Sequence, residues 1–108
     1  MVKKEARDLP IQLAEVDRLI HEPARLAVIA LLYVVDVADF IFVMNQTGLT
    51  WGNLSAHMSK LEQAGYLKVE KSFKGKRPST TLSLTPAGRE AFRKYATQMK
   101  QAFRDFEG

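Results

Sequence analysis

The sequence predicts an α+β fold, mainly helical, in which a short β-hairpin stands between two groups of helices. Three observations carry this. Apolar residues recur at helical spacing up to Gly65. From Tyr66 to Leu84 the period drops to two, with Lys74-Gly75-Lys76-Arg77-Pro78 as a turn in its middle. Thr85-Pro86 then restarts a helix, a capping hydroxyl followed by proline at the first helical position. At 108 residues the chain is long enough for one domain with a genuine core and too short for two, so residues 1–108 are expected to form a single domain.

Leu9, Leu13, Val16 and Ile20 recur at helical spacing and predict an amphipathic first helix over about 9–20, ending near His21. Pro23 fits the first turn of a second helix that runs to about Val35. That helix is apolar on nearly all sides (Leu26, Val28, Ile29, Leu31, Leu32), which predicts a central place in the fold. The 19 residues from Leu26 to Met44 approach the length of a membrane span. Asp36 and Asp39 would be costly at mid-bilayer, so the stretch reads as two buried helices broken at Asp36, with Val37 in a short extended link.

Asp39 is placed to cap a third helix, roughly Phe40 to Gln46. Thr47-Gly48-Leu49 is a tight connection with glycine where a helix ends, and Thr50 caps a fourth helix running to Ala64, closed by Gly65. Helix, short glycine turn and helix over about 39–64 make a helix-turn-helix unit. The hairpin over about 66–84 follows as a wing, and the last helix spans about 86–106. The expected architecture is therefore a winged helix-turn-helix with an N-terminal helix and a long C-terminal dimerisation helix.

Composition narrows the chemistry. Hydrophobic residues at 46% and charged residues at 26% match a soluble globular chain, so disorder is expected only at the ends. Cysteine is absent, which excludes a disulfide framework, a thiol nucleophile and a thiolate metal site. The two histidines are His21 and His57, and no second ligand stands at helical spacing from His57, so no metal is expected. Met1 to Pro10 carries Lys3 and Lys4 but no apolar run, so it is no secretory signal and the cytoplasm is the expected compartment. Hydrolase or transferase chemistry needs a nucleophile with its base, paired carboxylates or a phosphate-cradling loop. Ser55 and His57 lie two apart on one helix and do not face each other, so neither enzyme nor cofactor is expected.

A wheel of the fourth helix at about 100° per residue separates two faces. Leu54, Met58 and Leu61 stand on one side, and Gly52, Asn53, Ala56, Ser59, Lys60 and Gln63 on the other. The second face is small or polar and holds no acid, with Glu62 on its flank. A helix entering a DNA major groove needs such a face, because bulky side chains hold the backbone away from base edges. Asn53 and Gln63 suit bidentate contacts to adenine, Ala56 a thymine methyl, and Ser59 a base or phosphate. Thr50 and Ser55 complete the candidate contacts of this helix. Trp51 reads either as a packing residue or as a ring lying against the DNA backbone with its N–H on a phosphate. A merely solvated helix face would be polar as well.

The charge supplies a second signal. Between Lys68 and Arg77 the cations are Lys68, Lys71, Lys74, Lys76 and Arg77, against Glu70 alone. That surplus of four equals the net charge of the whole chain, so everything outside the hairpin balances. Affinity for DNA rises with the number of phosphates neutralised, which requires this kind of local concentration. Gly75 lets the tip turn, and Lys74, Lys76 and Arg77 stand where a wing reaches the minor groove, whose narrow form concentrates negative potential. Lysine on an edge hairpin also discourages aggregation. The hairpin follows a helix with a groove-compatible face, and this favours the phosphate reading.

Several strings resemble a known family. The segment DRLIHEPARLAVIALL, Asp17 to Leu32, is similar to the opening of ArsR-type repressors. LTWGNLSAHM (Leu49 to Met58) and LEQAGYL (Leu61 to Leu67) resemble the recognition helix and first wing strand of MarR/ArsR-like winged-helix regulators. LTPAGR, Leu84 to Arg89, resembles the string that opens their last helix. The resemblance implies a transcriptional regulator that binds double-stranded DNA as a homodimer on a pseudo-palindromic operator, with the 50–64 helix in the major groove and the hairpin in the minor groove. The cysteines of metal-sensing ArsR proteins have no counterpart here. No small-molecule effector is carried over by the likeness.

Phe92, Tyr95, Met99, Phe103 and Phe106 form one apolar stripe on a last helix roughly 30 Å long. A small domain covers only part of that length, and a leftover aromatic stripe marks a partner surface. Leu9, Leu13, Val16 and Ile20 are expected to pack beside it, within the subunit or across a dimer. The alternative is a winged-helix module that holds another protein, which predicts weak and salt-insensitive association with DNA.

Overall fold

A turn held by the half-buried Asp17 carboxylate opens the structure. The computed structural model describes residues 16–106. The elements are α1 (Pro23–Val35), β1 (Val37–Asp39), α2 (Phe40–Thr47), α3 (Trp51–Gln63), β2 (Leu67–Lys74), β3 (Arg77–Leu84) and α4 (Pro86–Asp105). The strands form an antiparallel sheet in the order β1-β3-β2.

Each junction has a local chemical cause. The Glu22 carboxylate caps α1, accepting from the N–H groups of Ala24 at 2.9 Å and Arg25 at 3.0 Å, with Pro23 at the first helical position. Asp36 ends the helix at φ 69° and ψ −62°, a conformation that strains any residue with a side chain. Arg89 of α4 holds the Asp36 carboxylate by an ion pair, so the strained corner is tied to the last helix. Asp39 accepts from Phe42 N–H at 2.8 Å to start α2. Gly48 closes α2 at φ 74°, where glycine carries no Cβ penalty. The Thr50 hydroxyl accepts from Asn53 N–H at 3.2 Å to start α3.

The core lies between the helices and one face of the sheet. Val28, Ile29 and Leu32 of α1, Val43 of α2, Leu54 and Leu61 of α3 and Leu82 of β3 are fully buried, with Phe40, Leu67, Leu84 and Tyr95 close behind. α4 enters against the backbone of Tyr66. Thr85 donates its N–H to Tyr66 O at 3.0 Å and its hydroxyl to Gly65 O at 2.6 Å. The Tyr66 hydroxyl donates to Asp17 Oδ2 at 2.6 Å. That bond to a carboxylate, with burial adding to it, pushes the Tyr66 pKa up to about 12.

Four expectations need correction. Leu9 and Leu13 lie outside the described residues, and the described end of the first helix, Val16 to Glu22, is a bend and a turn. The Asp17 carboxylate accepts from Leu19 N–H at 2.9 Å and Ile20 N–H at 3.3 Å, and so competes with a helical ladder there. α1 is not enclosed on all sides: Val34 is 79% exposed, and Val37, Ile41 and Phe42 after it are exposed as well. Helical apolar content says which residues avoid water, not how many neighbours are available to cover them.

The hairpin turn is tighter than the five residues expected. Strand pairing runs out to Lys74↔Arg77 and Phe73↔Pro78, leaving Gly75-Lys76 as a two-residue loop. Pro78 is tolerated inside β3 because β1 pairs only with residues 81–83, so no ladder bond is forfeited on that edge. Finally, much of the proposed dimer stripe is core. Ile20 is fully buried, Val16 and Tyr95 nearly so, and Phe92 and Met99 pack partly against them. His21 Nδ1 shares a 2.7 Å hydrogen bond with the Tyr95 hydroxyl, and Phe92 meets Tyr33 at 5.0 Å between ring centroids. Phe103 and Phe106 remain exposed. Among the described residues no helix is long and apolar enough to cross a membrane.

Candidate nucleic-acid interface

α3 divides as its wheel predicts. Leu54 and Leu61 are buried and Met58 packs partly against the core. Trp51, Gly52, Asn53, Ala56, Ser59, Lys60 and Gln63 are exposed on the other side, Thr50 is exposed at the cap, and Ser55 is half-buried on the flank. Gln63 Nε2 donates to Ser59 Oγ at a long 3.4 Å. A Cβ built on Gly52 would meet nothing within 4 Å. Gly52 is the second residue of α3, and among the described residues no packing requires a glycine there.

Trp51 combines the two roles left open for it. Its ring lies on the buried Phe40 ring, 4.4 Å between centroids and tilted by 50°, yet the residue is 61% exposed. One side anchors the start of α3 and the rest is open to solvent.

A network not legible in the sequence sets the position of α3. Arg25 donates through Nε to Leu19 O at 2.6 Å and through NH1 to His57 Nδ1 at 3.1 Å. Arginine can only donate, so this bond places the proton of a neutral His57 ring on Nε2. Glu22 Oε2 stands 3.5 Å from the same His57 nitrogen and 3.6 Å from Arg25 NH1. Burial works to raise the Glu22 pKa, but the Ala24 and Arg25 N–H groups, the His57 ring in its protonated form and the Arg25 charge together bring it below its ordinary value. A depressed carboxylate stabilises the fold above the ordinary carboxylate range and loses that contribution as pH falls through its folded pKa.

The wing carries its charge toward the tip. Gly75 takes φ 65° at the first position of the two-residue loop, the glycine-first turn that matches hairpin twist. Lys68 is engaged by Glu70 at 2.7 Å near the base. Lys71, Lys74, Lys76 and Arg77 are exposed, and among the described residues none has an acidic partner within ion-pair distance. Directly opposed residues of an antiparallel pair share a face. One face therefore carries Leu67/Leu84, Val69/Leu82, Lys71/Thr80 and Phe73/Pro78, and the other Lys68/Ser83, Glu70/Thr81, Ser72/Ser79 and Lys74/Arg77. Phe73 is 73% exposed, a site feature hidden in the sequence because it continues the alternation of the buried strand residues.

The pattern of the winged helix DNA-binding domain family matches residues 24–103. The chain belongs to that family. This winged helix protein is 31% identical over 90 residues to an uncharacterized protein of Methanocaldococcus jannaschii, covering 83% of this chain and 98% of the relative. Among solved structures it is similar to the transcriptional regulator homologue protein from Pyrococcus horikoshii OT3, with TM-score 0.80 and 26% identity over 85% of this chain and 91% of that one. The PcaV transcriptional regulator from Streptomyces coelicolor shares the fold at TM-score 0.72 and 21% identity, over 87% of this chain and 68% of that one. A MarR-family regulator from Silicibacter pomeroyi does so at TM-score 0.64 and 23% identity, over 84% and 61%. The expected winged helix is thus borne out: the family is one of winged helix DNA-binding domains, and the fold is that of transcriptional regulators, MarR-family ones among them.

Proposed function

We propose that this winged helix protein is a homodimeric transcriptional regulator that reads a specific double-stranded DNA sequence. The observation that carries the reading is one juxtaposition. The surplus charge sits on the hairpin that follows α3, and the outer face of α3 is small, polar and free of acid between Gly52 and Lys60. In this reading Asn53, Ser55, Ala56, Ser59 and Gln63 face base edges, and Gly52 lets the helix backbone approach. Thr50, Trp51 and Lys60 meet phosphates, while Lys74, Lys76 and Arg77 follow the backbone into the minor groove. The reading requires a cytoplasmic protein and no cofactor. The exposed Phe103 and Phe106 support a dimer contact at the end of α4.

Selection of bound sequences from a random duplex pool at two salt concentrations tests the whole reading. Lys76→Ala combined with Arg77→Ala is expected to weaken binding to all duplexes about equally. The slope of log affinity against log salt should become shallower by about 0.9 for each phosphate no longer neutralised. An unchanged slope would remove the wing from the mechanism, and salt-insensitive binding by the parent chain would favour a protein partner instead.

Asn53→Ala is expected to behave differently. It should cost roughly 1–3 kcal/mol on the selected duplex and far less on random DNA, as a base-edge contact does. Equal weakening on both, measured by titration, would make Asn53 a phosphate contact.

A further inference from the structure

We propose that Phe73 is a minor-groove wedge: its ring enters between two base pairs and bends the duplex toward the major groove. The inference rests on the DNA-binding reading above and goes beyond it, because Phe73 has no place in a wing that only neutralises phosphates.

The position is unusual for a phenylalanine. It is one residue from the end of β2, on the face that further down carries Leu67, Val69, Leu82 and Leu84 into the core. The Lys71/Thr80 pair stands between it and those residues, so Phe73 lies beyond the reach of the core. At 73% exposure it gains little from burial within the chain. Its cross-strand partner is Pro78, a second apolar and rigid side chain. The tip thus carries an apolar pair with Lys71 on its own face, Lys74 and Arg77 on the opposite face and Lys76 in the loop, all four cations exposed and without an acidic partner among the described residues.

That combination selects its ligand. An apolar protein surface would match the phenylalanine and proline but leave four cations unanswered. A plain phosphate surface would answer the cations but leave the ring in water. A DNA minor groove offers both, phosphates along its rims and stacked bases at its floor. Proteins that insert phenylalanine or proline between base steps there kink the duplex, and the bend then brings more protein surface against the DNA. A two-residue loop with glycine first gives the hairpin the narrow tip such an entry needs.

The test uses a duplex recovered by the random-pool selection, with a donor and an acceptor dye at its ends. A fluorescent adenine analogue sensitive to unstacking is placed in turn along the segment flanking the α3 footprint. The parent chain is expected to bend this duplex by about 20° or more and to raise the analogue's emission at one step. Phe73→Ala should abolish both signals and lower affinity about tenfold, with the salt slope unchanged because every cation remains. Phe73→Leu, still apolar, should keep part of the bend. The ring is exposed, so both variants should melt with the parent chain. A Phe73→Ala protein that bends the duplex as the parent does overturns the wedge. So does a parent chain that binds its selected duplex and leaves it straight, although the DNA-binding reading then stands. A parent chain that binds no duplex overturns both.

Discussion

A Gly88→Ala chain is expected to lose about 3 kcal/mol of stability, and with it roughly 15 °C of melting temperature. A Cβ at this position would stand 2.2 Å from the Tyr66 carbonyl oxygen, 3.0 Å from its carbon and 3.1 Å from its Cα. All three are backbone atoms, so no side-chain rotation relieves the clash. The carbonyl cannot withdraw cheaply either, because it accepts Thr85 N–H at 3.0 Å where α4 is capped. Moving Tyr66 would also strain its 2.6 Å bond to Asp17, which holds the turn before α1. Elsewhere in a helix the same substitution gains about 1 kcal/mol. Gly52→Ala, in the first turn of α3, supplies a clash-free comparison with a smaller gain, since its new methyl meets nothing within 4 Å. Thermal unfolding followed by circular dichroism should therefore move in opposite directions for the two variants. An unchanged melting point for Gly88→Ala would mean that the junction between wing and last helix yields more easily than its geometry indicates.

Structure decided by chemistry a few residues away was legible in the sequence. Asp39, Thr50 and Thr85 cap the helices that follow them, each by accepting an N–H within three residues. Gly48 closes α2 for a reason contained in its own φ. The inward and outward faces of α3 likewise follow from helical period alone. What escaped was decided at a distance. Arg25 and His57 are 32 residues apart in sequence, and nothing in the local pattern of either announces the other. Periodicity also marks a face without saying where its cover ends. Tyr95 and Phe103 lie on one stripe, yet the first is core and the second surface, and Val69 and Phe73 repeat the same contrast on β2. Two of the corrected expectations were within local reach. Asp17, whose side chain bonds the backbone two and three residues on, carries the usual signal of a turn. Gly75-Lys76 between strand-like runs is a two-residue hairpin loop in itself.

In the dimer proposed above, Phe103→Glu is expected to yield a monomer of 12.2 kDa and to remove most of the affinity for the selected operator. The near half of α4 is occupied within the chain: Gly88 against Tyr66, Phe92 against Tyr33, Tyr95 against His21. Its 20 residues run roughly 30 Å, and toward the far end Phe103 is 59% and Phe106 67% exposed. Two such ends related by a two-fold axis bring four aromatic rings together, a contact of the self-complementary kind that a symmetric dimer uses. A carboxylate at position 103 would give up its water there without gaining a partner, which is costly enough to open the interface. The same carboxylate on a separate subunit would face solvent, so helix content and melting of the winged helix should change little. Phe103→Leu, which keeps the surface apolar, should remain dimeric. A two-fold regulator reads half-sites about 34 Å apart, and a monomer engages one of them with one wing. Sedimentation should show the fall in mass, and titration should show weak non-specific binding persisting with a shallower salt dependence. A Phe103→Glu protein that sediments as a dimer would move the interface elsewhere, with the exposed Val34, Val37, Ile41 and Phe42 the next to be tested.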